Sequence, residues 1–293
     1  MGFTSCSFLE TGLIEGKVCL VTGANSGIGK ATAAQLAQMG GKVILACRNS
    51  DRAETARQDI IQKTGNSNVE VGLVDLSSQK SIHSFVDSFK RERSRLHVLV
   101  NNAGIYSSRR VVTEDGLELV FATNHLGHFL LTNLLLDILK ASAPSRIVNV
   151  TSEAQRTGMI DFDDLQGERR FSGTRAYPQS KLANVLFTYE LARRLDGTEV
   201  TATCVHPGAV RTNFGRGSRG LMAFAVRIFA PFMLSPEEGA RTVIHLASSP
   251  DLEGVSGKYF AKLKEIRSSK DSYDQQIARR LWMVSAELTG LKE

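Results

Sequence analysis

Six short runs rich in β-branched and aliphatic residues recur along the chain: Val18 to Thr22, Val43 to Cys47, Val69 to Val74, Leu96 to Asn101, Arg146 to Thr151 and Val200 to His206. Longer stretches of helical period lie between them, beginning near Gly27, Asp51, Ser78, Asp115 and Tyr177. Strands that alternate with helices need crossover connections, and crossovers build a parallel sheet covered on both faces. The pattern therefore predicts an α/β fold with a doubly wound parallel sheet. In such a sheet ligands sit beyond the carboxyl ends of the strands, so the residues just after each strand are the candidates for function. With 293 residues, 42% of them hydrophobic, the chain can bury a large core. No composition break or Pro/Gly/Ser-rich linker divides it. We expect an N-terminal extension over 1–16 and one domain over 17–293.

Composition removes several classes of function. The formal charge is 36 − 30 = +6, but Lys and Arg are spread along the chain, so a solvated surface is expected and no nucleic-acid partner. Cys6, Cys19, Cys47 and Cys204 have no CxxC pairing or metal-ligand spacing and read as reduced thiols in a cytoplasmic protein. His125 and His128, three apart without an acidic or thiol partner, read as packing or capping groups rather than metal ligands. No run of 18 apolar residues is long enough to span a bilayer, and the first residues lack a secretory pattern. Met1-Gly2-Phe3-Thr4-Ser5-Cys6 begins like a myristoylation signal but places Cys where Ser or Thr is preferred.

The first predicted strand runs into Thr22-Gly23-Ala24-Asn25-Ser26-Gly27-Ile28-Gly29-Lys30. Glycines there permit a tight turn and let the backbone approach a pyrophosphate at a helix N-terminus. The second strand ends Cys47-Arg48-Asn49, where an NAD enzyme normally presents an acid to the ribose 2′-hydroxyl. Arg48 instead offers a planar cation suited to a 2′-phosphate, which predicts NADP(H). About 80 residues beyond the fourth strand stands Tyr177-Pro178-Gln179-Ser180-Lys181. One helical turn would hold a phenol beside an ammonium group. The cation would lower a phenol pKa of roughly 10 and let Tyr177 exchange a proton with a carbonyl or alcohol oxygen.

These motifs, taken in order, resemble the short-chain dehydrogenase/reductase family over nearly the full length. The matching landmarks are Thr22-Gly23-x-x-x-Gly27-Ile28-Gly29, Asp75, Asn101-Asn102-Ala103-Gly104, Asn124, Ser152, Tyr177-x-x-x-Lys181 and Pro207-Gly208. Asn124-His125-Leu126-Gly127-His128-Phe129, Ser180 to Phe187 and Ala278-Arg279-Arg280-Leu281-Trp282 look like the retinol dehydrogenase branch, NADPH-preferring retinal reductases with relatives acting on other lipid aldehydes. Two features depart from that pattern. The hydrophobic N-terminal anchor usual in the branch does not appear in this sequence. Ala24, Asn25 and Ser26 also lack the basic residue that many NADP-preferring members place inside the glycine turn, which leaves the selectivity to Arg48.

The resemblance implies a Rossmann fold and four catalytic candidates. Tyr177 is the general acid in reduction and base in oxidation, Lys181 lowers its pKa, Ser152 hydrogen-bonds the substrate oxygen, and Asn124 holds a water that links Lys181 to solvent. The cofactor candidates are Gly23, Asn25, Ser26, Gly27, Ile28, Gly29, Arg48, Asn49, Asp75, Leu76, Asn102, Ala103, Gly104, Tyr177, Lys181, Pro207, Gly208, Val210 and Thr212, with Asp75 toward adenine and Thr212 on the carboxamide. The implied activity is NADPH-dependent reduction of a hydrophobic aldehyde or ketone to the alcohol, reversible as an alcohol or retinol dehydrogenase. A steroid or quinone reductase on the same scaffold is the alternative. A non-catalytic nucleotide-sensing protein would be signed by loss of Tyr177, Lys181 or Ser152, and all three are present.

Pro178 lacks an N–H and fits most easily where a helix begins, so the helix is expected to start there. Residues from about 212 to 236 mix Phe224, Phe229 and Phe232 with Arg216, Arg219 and Arg227, the composition of an amphipathic substrate lid that could rest on a membrane surface. Homodimerisation through the helices beginning near Asp115 and Tyr177 is expected by analogy. Trp282 is expected to be a core or interface anchor.

Overall fold

The computed structural model describes residues 14–210 and 233–291, and its β-strands form a single sheet. The first half alternates β1 (Val18–Thr22), α1 (Gly27–Gln38), β2 (Lys42–Cys47), α2 (Ser50–Thr64), β3 (Val69–Leu73), α3 (Gln79–Glu92) and β4 (Val98–Asn101). A broken helix follows: α4 (Leu119–Phe121), a π turn (Ala122–Leu126), α5 (Gly127–Leu134) and α6 (Leu136–Ala141). The second half carries β5 (Ser145–Val150), a 3-10 turn (Glu153–Thr157), α7 (Gly173–Arg194), β6 (Val200–Val205), α8 (Pro236–Ser248), β7 (Lys258–Ala261), β8 (Lys264–Glu265) and α9 (Gln275–Leu288).

The sheet order is β3-β2-β1-β4-β5-β6-β7-β8, parallel throughout except for β8 against β7. Order reverses between β1 and β4, and a doubly wound sheet opens its ligand crevice at that switch point. Both faces are covered. Leu20, Phe129, Phe187 and Trp282 belong to the core on one side, and Val21, Leu36, Val148 and Leu246 to the core on the other.

Two helices start where the sequence pattern did not place them. The helix expected near Asp115 begins at Leu119, because residues 113–118 close a turn first, with Leu117 O accepting from Thr113 N at 2.8 Å and Gly116 at φ 77°. Asp115 instead caps α3, accepting from Gln79 N at 2.8 Å, and Glu118 caps α4. The helix expected from Pro178 begins at Gly173, with Arg175 N and Ala176 N both donating to Ser172 O. Pro178 thus lies inside α7. A mid-helix proline costs about 3 kcal/mol. Burial of Leu182, Val185, Leu186, Phe187 and Leu191, at about 1.5–3 kcal/mol each, outweighs it.

From Pro178 to Leu191 every residue of α7 is buried, although an amphipathic helix would expose one side. The sheet covers one face and α9 the other. The Trp282 ring meets Phe129 at 4.9 Å and Phe187 at 5.7 Å, and the Arg194 guanidinium stacks on it at 4.1 Å. The helices through which a homodimer was expected are therefore packed by α9, with Trp282 as a core anchor. No helix among the described residues is long and apolar enough to cross a membrane.

Candidate active site

Thr22 organises the crevice at the switch point. Its hydroxyl accepts from Asn102 N at 2.9 Å and Ala103 N at 3.0 Å, and its carbonyl accepts from Asn102 Nδ2 at 2.8 Å. The end of β1 is thereby sewn to the end of β4. Gly29 shows why the turn above it is glycine-rich, since a Cβ there would lie 2.6 Å from Gly23 O and 2.4 Å from Asn102 Nδ2. Ser26, at the N-cap of α1, makes no side-chain cap, so the first-turn N–H groups of α1 are open to an anion.

A cleft of about 660 Å³ extends from this turn across the carboxyl edge of the sheet. It is lined by Gly23, Asn25, Ser26, Gly27, Ile28 and Gly29, by Arg48 and Asn49, by Asp75 and Leu76, by Asn102, Ala103 and Gly104, by Ser152, Tyr177 and Lys181, and by Pro207, Gly208 and Val210. Two of the residues singled out from the sequence are not among them. Asn124 is buried behind the wall, and Thr212 lies outside the described residues, as do 212–232 of the expected lid. Met233, just beyond that stretch, lines the cleft, and Leu234 N donates to Ala209 O at 2.8 Å.

At the β2 end, Arg48 is exposed and its guanidinium stands 3.7 Å from the Asp75 carboxylate. Asn49 caps α2 by accepting from Arg52 N at 2.9 Å, and Arg52 also lines the cleft. Arg52 is not among the residues that the sequence motifs single out. Its signal was its spacing, four residues after Arg48 on the first turn of a helix.

At the other end, Ser152 stands two residues past the end of β5, and α7 presents Tyr177 and Lys181 one turn apart. The Ser152 side chain is hydrogen-bonded to the Tyr177 phenol. Lys181 Nζ donates to Val150 O at 3.2 Å and lies 5.7 Å from the centre of the Tyr177 ring. The sequence reading expected Lys181 to pull the phenol down. In the structure burial dominates both groups, pushing Tyr177 up to about 12, with the Ser152 bond opposing, and Lys181 down to about 8. The phenol is therefore protonated at neutral pH.

The Asn124 side chain is hydrogen-bonded to the segment after β4 and to α7. Its Oδ1 accepts from Ile105 N at 2.8 Å, and its Nδ2 donates to Ile105 O and Ser180 Oγ at 3.0 Å each. Within the π turn its carbonyl accepts from Asn184 Nδ2 at 2.9 Å and His128 Nδ1 at 3.0 Å. Asn124 thus braces the segment after β4 against α7. His128 Nε2 receives the Thr22 hydroxyl at 3.0 Å, while His125 donates from Nδ1 to Asn184 Oδ1 at 3.2 Å and accepts the Ser285 hydroxyl at 2.9 Å. Both imidazoles are buried packing groups. Among the described residues no cluster of three or more His, Cys, Asp or Glu could hold a metal.

The model of the short chain dehydrogenase family matches residues 17–220. The chain belongs to that family. It is 47% identical to mouse retinol dehydrogenase 14, covering 96% of this chain and 88% of that protein, and 49% identical to human retinol dehydrogenase 12, covering 95% and 88%. An uncharacterised protein of Mycobacterium paratuberculosis superposes with a TM-score of 0.79 at 34% identity over 96% of both chains. An NAD(P)-dependent gluconate 5-dehydrogenase of Beutenbergia cavernae, solved with bound NADP, gives 0.69 at 28% identity over 85% of this chain and 97% of its own. The protein is a retinol dehydrogenase-like NAD(P)-dependent oxidoreductase.

Proposed function

We propose that the chain is an NADPH-dependent reductase of a hydrophobic aldehyde or ketone, of the retinal or lipid-aldehyde class, that runs in reverse as an alcohol dehydrogenase. The observation that carries this reading is one cleft with Ser152, Tyr177 and Lys181 at one end and Arg48 and Arg52 at the other. The cleft fits a nicotinamide dinucleotide, because neither Gly23 nor Gly29 has room for a side chain, which keeps the turn's backbone open to the ligand, and the N-terminus of α1 faces it. When bound, the cofactor supplies the hydride.

The chain's own residues do the rest. The Ser152 hydroxyl donates to the substrate oxygen as negative charge develops on it. The Tyr177 phenol gives its proton to that oxygen. Lys181 is placed to stabilise the phenolate left behind. Arg48 and Arg52 would engage the 2′-phosphate of NADPH. The exposed Arg48–Asp75 pair is worth no more than about 1 kcal/mol, so a phosphate can displace the carboxylate. The names of the curated relatives support a retinoid-like substrate. Initial rates with NADPH and NADH against retinal, medium-chain aldehydes and steroid ketones test the reading. Preference for a steroid ketone would move it to the alternative, and equal use of both cofactors would remove the role of the arginines.

A further inference from the structure

His206 follows β6 directly, lines the cleft, and is unused in the mechanism above. Its Nδ1 lies 3.1 Å from the backbone nitrogen of Glu153 and 3.4 Å from that of Gly208. A backbone N–H can only donate, so Nδ1 accepts both and the ring proton sits on Nε2. Nε2 stands 3.9 Å from the Glu153 carboxylate. Glu153 is the residue after Ser152, and Gly208, at φ 94°, makes the turn after Pro207. A residue that merely ended the strand would need only its backbone bond, which His206 makes from its own N–H to Phe260 O at 2.9 Å. The imidazole adds a tie between the loop carrying Ser152 and the Pro207-Gly208 turn.

We infer that His206 is a positioning residue that latches the Ser152 loop to the Pro207-Gly208 turn and so fixes the substrate oxygen's hydrogen-bond donor relative to the cofactor cleft. The inference rests on the reductase reading for its catalytic consequence, while the latch itself is a property of the free protein. It also carries a pH dependence. The charged groups facing the ring are Glu153 and Arg156 from the 3-10 turn and Lys262 between β7 and β8. Burial chiefly, with Arg156 and Lys262, holds the imidazole below its ordinary value against the pull of Glu153. A proton on Nδ1 would set a donor against two N–H groups, so the latch opens as pH falls through that depressed value, below 6.5.

The test compares the wild type with His206→Asn, whose amide oxygen keeps an acceptor near the place of Nδ1, and His206→Leu, which keeps none. Imidazole nitrogen NMR of the free protein at neutral pH should show the Nε2–H tautomer. His206→Leu should lose about tenfold or more in kcat with a smaller change in KM for the aldehyde. His206→Asn should restore most of that kcat and lack the decline that the wild type shows on the acid side. The Nδ1–H tautomer, a wild-type kcat in His206→Leu, or equal impairment of the two variants would overturn the latch. If the wild type reduces no aldehyde or ketone, the reductase reading fails by itself. The latch is then judged by the tautomer and by NADPH titration, where affinity unchanged in His206→Leu overturns it.

Discussion

Tyr177 and Lys181 show how burial and charge compete at a single turn of helix. The spacing alone suggests a cation that lowers a phenol's pKa, yet both side chains lose solvent, and desolvation moves them in opposite directions, the phenol up and the ammonium down. Tyr177→Phe should keep cofactor affinity, since the ring remains, and lose about 10²–10⁴-fold in single-turnover reduction. Near-normal turnover in that variant would remove Tyr177 as the acid. Arg48→Ala should weaken NADPH by about tenfold or more, the value of a charge-assisted contact, and leave NADH nearly unchanged. Equal weakening of both cofactors would make Arg48 structural. Residues at strand ends were legible in the sequence because a parallel sheet dictates where ligands sit. His206 obeys the same rule but falls within the predicted sixth strand, and Arg52 stands on the first turn of α2 beyond the strand end, where the rule does not reach.

Between elements, buried histidines carry the joints. His128 links α5 to β1 through Thr22, and His125 links the π turn to α7 and α9 through Asn184 and Ser285. Each donates from one ring nitrogen and accepts on the other, so neither tolerates a second proton. Burial accordingly holds His125 at about 4 and His128 at about 3. These folded values lie below the unfolded value of roughly 6.5. The unfolded chain therefore binds more protons below pH 6.5, and stability, complete above that value, falls as pH drops toward 4. Each histidine contributes a slope of at most about 1.4 kcal/mol per pH unit. Urea denaturation between pH 8 and 5 should show an uptake of at least about two protons on unfolding at the acid end. A flat profile would mean that the two rings are already charged in the fold. None of this was visible in the sequence, where two histidines three apart without ligand partners read only as packing groups. The π turn at Asn124 and the start of α7 at Gly173 were hidden for a related reason. Both are set by what packs on the helix, and local propensity carries no record of that.

At the scale of the whole molecule, the sheet order places the switch point between β1 and β4, and the family motifs fall around it because a doubly wound sheet has its crevice there. That much followed from the alternation of runs along the chain. The covering of α5 and α7 by α9 did not, since it depends on a helix that begins at Gln275, far beyond the end of α7 at Arg194, returning to the same face. Trp282 is the residue that seats it, against Phe129, Phe187 and Arg194. A second copy could pair through α5 and α7 only by displacing α9 and exposing that aromatic cluster. Replacing a buried Trp with Ala costs about 3–5 kcal/mol, and that cost opposes the exchange. The purified protein should sediment as a monomer with respect to this face. Trp282→Ala should lose about 3–5 kcal/mol in urea denaturation and gain a tendency to self-associate, because the faces of α5 and α7 are no longer fully covered. A wild-type dimer whose cross-links map to α5 and α7 would show that α9 leaves this face in solution.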